Sequence, residues 1–117
     1  MDKIKDQLKH CLSEFDIDNF GEKYRGKVRD NFHFEDKIAM VTSDRVSAFD
    51  HVLGTIPFKG QILTEIANFW FEKTSDIVRN HIISKPDPQV MIVEKASPLP
   101  IEIIIRGYIT GSLWRDY

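Results

Sequence analysis

Three short stretches hold the residue types that bind anions or hydrogen-bond a ligand amine. The first, GEKYRGKVRD, runs from Gly21 to Asp30, with Gly21, four residues, then Gly26-Lys27. A phosphate loop of the Walker type has this spacing, but it also needs Ser or Thr next, with a strand before the loop and a helix after it. Val28 stands there instead, and the interior Glu22-Lys23-Tyr24-Arg25 is bulky. Two readings stay open. Arg25, Lys27 and Arg29 are the solvated charges of a basic hairpin, or Gly26 lets a strand pair close over phosphates while Lys27 and Arg29 point at them.

The second stretch, SDRVSAFD, Ser43 to Asp50, packs two carboxylates, a guanidinium and two hydroxyls into the end of an expected strand. Such strand-end loops favour sites. Asp44-Arg45 also reads as a surface ion pair of little energetic worth. Asp50, after small Ala48 and apolar Phe49, is placed to accept hydrogen bonds from a ligand amine. In the third stretch, RGYITGS, Arg106 leaves an apolar strand, Gly107 and Gly111 allow close backbone approach, and Ser112 opens a helix. Arg and a helix start suit an anion such as phosphate; a glycine turn with an ordinary cap is the alternative. Cys11, His10, His33, His51 and His81 show no metal-ligand spacing, so no zinc site is expected.

Elements must position these residues. Ile4, Leu8, Cys11, Leu12 and Phe15 recur at helical spacing and predict an amphipathic helix over the first fifteen or so residues. Tyr24 to Phe34 and Lys37 to Thr42 read as a hairpin about Glu35-Asp36. A loop with one short strand, Val52 to Ile56, follows. The helix QILTEIANFWFEKTS should turn Ile62, Leu63, Ile66, Ala67, Trp70 and Phe71 to the core, taking Phe69-Trp70-Phe71 with it. KPDP, Lys85 to Pro88, reads as a turn or linker. QVMIVEKA and IEIIIRGYI read as strands, with Ile103-Ile104-Ile105 buried on both faces. The class expected is α+β with a mainly antiparallel sheet.

At 117 residues the chain fits one domain, and 42% hydrophobic with 29% charged residues is the composition of a soluble globular protein. No apolar run approaches the roughly 20 residues of a membrane span. A net charge of −2 gives no general attraction to nucleic acid, so an RNA-binding hairpin is a weak alternative. The N-terminus lacks a secretory pattern, and one cysteine agrees with a reducing compartment. A cytoplasmic protein is expected.

Taken in order, YRGKVRD, TSDRVSAFD, IPFKGQILTEIANFWF, RNH and LPIEIIIRGYITGSLWRDY resemble the phosphoribosylaminoimidazole-succinocarboxamide synthase (SAICAR synthetase) family from Tyr24 to Tyr117. Phe58 and Asn31 depart from it, standing where a small residue and an aliphatic are common. The resemblance implies a purine-biosynthetic ligase that uses ATP with Mg²⁺ to join L-aspartate to carboxyaminoimidazole ribonucleotide, on a sheet and Gly-rich hairpin like a kinase N-lobe. It implies that Gly26, Lys27, Val28 and Arg29 cover the ATP phosphates, with Lys27 catalytic. The backbone of Val93, Glu94, Lys95 and Ala96 would meet adenine. Asp50, and less centrally Ser47, would contact the ribonucleotide's amino group, and Arg106 with Ser112 its 5′-phosphate. Family members run to roughly twice this length or more, with their Mg²⁺ ligands beyond the point matched by Tyr117. The expectation is therefore an N-terminal domain, residues 1–117 with 1–18 as a helical extension, inactive alone and with no metal ligands of its own. A non-catalytic nucleotide-binding module of the same fold is the alternative, and exposed surface could let the chain form a homo-oligomer.

Overall fold

The computed structural model describes residues 2–117, apart from the side chains of Asp2 and Ile4; the expected place of Ile4 on an apolar helix face lies outside the described residues. Helix α1 covers only Asp2–Gln7. The expected helix does not continue, because distant side chains take the backbone groups that helical hydrogen bonds would need. The Leu12 and Phe15 N–H groups donate to the carboxylates of Asp44 (2.8 Å) and Asp30 (2.9 Å). Residues 11–17 have no regular structure and form a strap instead.

The expected hairpin is a three-stranded meander. β1 (Glu22–Arg25) pairs antiparallel with β2 (Arg29–Phe34) around the turn Gly26 to Val28, and β2 pairs with β3 (Lys37–Thr42) across Glu35-Asp36. Strand periodicity puts Asp30 and Phe32 on one face with their partners Val41 and Ala39. Phe32, Ala39 and Val41 form one core cluster, closed by Leu12 and Phe15 of the strap, and Met91 and Val93 are also buried. Phe15 meets Phe32 edge-on at 5.9 Å, and Phe20 packs on Phe34 at 4.9 Å.

Beyond β3, the expected loop holds a separate hairpin of β4 (Arg45–Ala48) and β5 (His51–Thr55). Phe49 and Asp50, at φ 50° and 67°, form its two-residue connection. Two successive left-handed residues match the right-handed twist of the flanking strands.

Helix α2 (Lys59–Lys73) contacts β3 through a face other than the expected one. Its buried positions are Gly60, Thr64 and Asn68, four residues apart. Ile62, Leu63, Ile66, Phe69 and Trp70 are exposed, Trp70 by 59%. The small and polar stripe faces inward because Gly60 has no side chain and sits against the Thr42 and Ser43 carbonyls.

β6 (Ile82–Asp87) and β7 (Val90–Glu94) complete a five-stranded sheet of order β1-β2-β3-β7-β6, with all neighbours antiparallel. KPDP is therefore largely strand rather than linker. Pro86 is tolerated because β6 is an edge, and its pairing slips twice between Ile82 and Asp87. The second expected strand is absent: residues 101–106 have no regular structure, and Ile105 is 94% exposed. Among the described residues no strand lies beside it to take up its backbone hydrogen bonds. Helix α3 (Ser112–Asp116) follows. The α+β class with a mainly antiparallel sheet holds.

Candidate functional site

The Gly26–Val28 turn is held from beneath by one buried side chain. Arg45, 2% exposed, uses all five guanidinium N–H groups. Nε donates to the Lys27 carbonyl (3.1 Å), and Nη2 donates to the Gly26 carbonyl (3.0 Å) and Asp30 Oδ1 (2.8 Å). Nη1 donates to the Ser13 carbonyl (2.6 Å) and Asp30 Oδ2 (3.2 Å). The Val28 carbonyl accepts from the Ser43 N–H (3.0 Å) and hydroxyl (2.8 Å).

Three consecutive carbonyls are thus aimed inward. In a trans peptide the N–H points opposite to the carbonyl of the same unit. The Lys27 and Val28 N–H groups therefore face away from Arg45, on the side open to a ligand. Successive outward N–H groups make a concavity suited to an anion. Gly26 keeps the turn narrow: a Cβ there would lie 3.2 Å from the Arg29 carbonyl.

Asp30 is fully buried with Arg45. Burial alone would raise the pKa of its carboxyl. The hydrogen bonds from Arg45 and the Phe15 N–H, with the charges of Arg45 and Lys23, outweigh that and hold it below the usual carboxylate value. Asp44 points elsewhere: its carboxylate accepts from the Leu12 N–H (2.8 Å) and the Gly60 N–H (2.8 Å). It caps α2 from outside the helix, since the adjacent Phe58 offers no side-chain cap. The two side chains read together as a surface pair are therefore both buried, and each binds other partners.

Above the turn, Lys27 Nζ forms an exposed ion pair with Asp50 Oδ1. The Asp50 hydrogen bond and charge raise the pKa of Lys27, and Lys27 lowers that of Asp50. Two expected positions from separate stretches are thereby joined. Ser47 lies on β4 of the same hairpin, at the bulge after Val46.

Val93 and Glu94 end β7, and Lys95 and Ala96 continue from it, with the Lys95 N–H on the Asp36 carbonyl (2.9 Å). A groove of about 400 Å³ opens beside Glu94, Lys95 and Ala96, walled by Phe71, Arg79 and His81. Arg79 clasps the Glu94 carboxylate at 2.6 and 2.7 Å. Arg106 folds back on Gly111, its Nη1 3.2 Å from where a Cβ on that glycine would sit. Gly111, at φ 64°, precedes Ser112, the first residue of α3. Among the described residues, no hydrogen bond or ion pair links this tail to the turn, so the structure does not join Arg106 and Ser112 to Lys27 and Asp50.

Among the described residues, no three His, Cys, Asp or Glu side chains gather as a metal site would need. Near the turn, Asp30 and Asp44 are committed to internal partners and Asp50 to Lys27. These residues do not fit a Mg²⁺ site. No described helix is long and apolar enough to cross a membrane.

Sequence reasoning missed Asp30, Arg45 and Ser43 as the supports of the turn, and Asp44 as the anchor of Leu12 and Gly60. The signal available was a buried-type alternation through VRDNFHF that puts Asp30 on the side of Phe32.

Known proteins match this arrangement over nearly the whole chain. The family model described as SAICAR synthetase matches residues 22–117. A Legionella pneumophila (strain Paris) protein named phosphoribosylaminoimidazole-succinocarboxamide synthase is 48% identical over 111 residues, 92% of this chain and 35% of its own. The structure of SAICAR synthase from Saccharomyces cerevisiae complexed with SAICAR superposes with a TM-score of 0.82 at 32% identity, over 91% of this chain and 44% of that one. A type-2 SAICAR synthetase in complex with ADP gives 0.73 at 26% identity, over 82% of this chain and 42% of that one. The chain spans about a third of the length of the curated relatives it matches. With the family model matched from β1 to the last residue, the chain belongs to the SAICAR synthetase family.

Proposed function

We propose that this chain is the N-terminal domain of an ATP-dependent ligase that joins L-aspartate to carboxyaminoimidazole ribonucleotide, giving SAICAR, ADP and phosphate. The observation that carries the reading is the turn: outward N–H groups at Lys27 and Val28, with the Lys27 ammonium tied to Asp50.

In this reading Gly26, Lys27, Val28 and Arg29 lie over the ATP phosphates, and adenine lies against the backbone of Val93 to Ala96. Asp50 and Ser47 accept from the ribonucleotide's amino group, and Arg106 with Ser112 holds its 5′-phosphate. The ribonucleotide carboxylate attacks the γ-phosphorus, forming an acyl phosphate and releasing ADP. The aspartate amine then attacks the acyl carbon, phosphate leaves with the bonding pair, and the nitrogen loses a proton. Lys27 offsets the negative charge of the transferring phosphoryl group. Mg²⁺ normally accompanies ATP in phosphoryl transfer. The residues present do not fit it, so its ligands would come from outside this chain, and the chain alone is inactive. The reading carries with it a cytoplasmic protein that meets small molecules rather than nucleic acid or membrane, and that can self-associate through its exposed α2 face.

Titration calorimetry with ADP tests it. The expected result is binding by the chain that Lys27→Ala weakens at least tenfold, and no phosphate release when ATP, ribonucleotide and aspartate are all present. Absence of ADP binding, or unchanged binding by Lys27→Ala, overturns the assignment of the turn.

A further inference from the structure

The strongest feature outside the proposed contacts is Arg45. Its guanidinium touches no ligand side of the site, yet it fixes two of the three turn carbonyls. A solvated turn of this kind would let each peptide unit flip, presenting a carbonyl where an N–H is needed. A carbonyl oxygen facing a phosphate repels it.

Lys27 and Gly26 supply no side chain that could prevent this from within, because the Lys27 side chain reaches outward to Asp50. The restraint comes from below. Asp30 fixes the guanidinium by two hydrogen bonds and balances its charge, and the Ser13 carbonyl holds the remaining Nη1 proton. Ser43 restrains the third carbonyl through two donors.

We propose that Arg45 is a positioning residue for polyphosphate binding: it locks the Gly26–Lys27 and Lys27–Val28 peptide units with their N–H groups outward, and Ser43 does the same for the Val28 carbonyl. The proposal rests on the reading of the turn as the ATP phosphate site. Its content is separate from that reading, because Lys27 acts on the ligand directly and Arg45 acts only through backbone orientation.

The test uses the full chain, inorganic tripolyphosphate as probe, and three variants. Lys27→Ala examines the turn itself. Arg45→Lys keeps a positive charge beside Asp30 but lacks the planar fork that reaches both carbonyls. Ser43→Ala removes only the hydroxyl donor and should fold if the arginine variant does not. Affinity is read by calorimetry, and the amide resonances of Lys27 and Val28 by ¹⁵N NMR.

The expected result is that tripolyphosphate shifts both amides in the wild type. Arg45→Lys should bind roughly tenfold or more weakly and Ser43→Ala roughly threefold, in line with the loss of charged and neutral hydrogen bonds respectively. In Arg45→Lys the two amides should broaden or double while Phe32 and Val41 of the core keep their resonances, which a general loss of structure would not produce. Wild-type affinity in a folded Arg45→Lys, or in Ser43→Ala if the arginine variant fails to fold, overturns the positioning role while Lys27→Ala still weakens binding. No binding by the wild type, or no effect of Lys27→Ala, overturns the turn assignment and this proposal with it.

Discussion

Lys27 and Asp50, 23 residues apart, form an ion pair that bridges the β1–β2 turn to the β4–β5 turn. An anion on the outward N–H groups must compete with Asp50 for the same ammonium. Asp50→Asn should therefore tighten tripolyphosphate binding, by about two- to fivefold given the modest strength of exposed pairs. Calorimetry at low salt would show this; weaker binding by the variant would mean that Asp50 helps to orient Lys27. Because the raised pKa of Lys27 and the lowered pKa of Asp50 keep both groups charged, the ratio of the Asp50→Asn to the wild-type affinity should be flat between about pH 5 and 9, whatever the ionisation of the probe.

Asp30 gives a stability prediction with a sign. Its folded pKa is depressed, so the stabilisation is present above the unfolded value, about 3.9, and is lost as pH falls through the folded one. Urea midpoints should drop steeply below about pH 4. Asp30→Ala should cost about 3–5 kcal/mol at neutral pH by leaving Arg45 buried without its counter-ion. Its acid-induced fall should be shallower than that of the wild type.

Gly60 is a packing requirement rather than a turn requirement. A Cβ there would overlap the Thr42 carbonyl and sit 3.0 Å from the Ser43 carbonyl, both backbone atoms that cannot swing aside. Gly60→Ala should destabilise by about 1–3 kcal/mol despite its helical position. A thermal midpoint equal to that of the wild type would show that α2 can move away from β3.

The exposed stripe of α2 predicts the opposite behaviour. Ile66 and Trp70 have half or more of their surface in water, so Ile66→Lys with Trp70→Lys should leave stability nearly unchanged. Sedimentation should show less self-association in the double variant. A large loss of stability would place these residues in a core.

The sequence made the β2–β3 hairpin, α2 and β7 readable, because each carries a local period. It misled wherever a period matched a partner outside the local segment. Leu8, Leu12 and Phe15 have helical spacing, but Leu12 and Phe15 instead give their N–H groups to carboxylates 32 and 15 residues away. The apolar run Ile103-Ile104-Ile105 signals burial, and no described element lies over it. In α2 the apolar side dominates the period, while the packed side is chosen by Gly60. At the site, the glycine and bases of RGKVR were visible as an anion-binding candidate from their types alone. Asp30 and Arg45 were not, because ionic partners 15 residues apart on different strands leave no local pattern.

The way Arg45 is wired also sets an order of assembly. β1 and β2 can pair as soon as both have left the ribosome, as a local hairpin of low contact order. At that moment Arg45 has not emerged, so the turn between them is still free to flip. The strap leaves before either strand, yet Ser13 must wait for a partner 32 residues later in the chain. A segment made before both strands is thus among the last to settle, and the fixed outward set of the turn's N–H groups is a late product of folding.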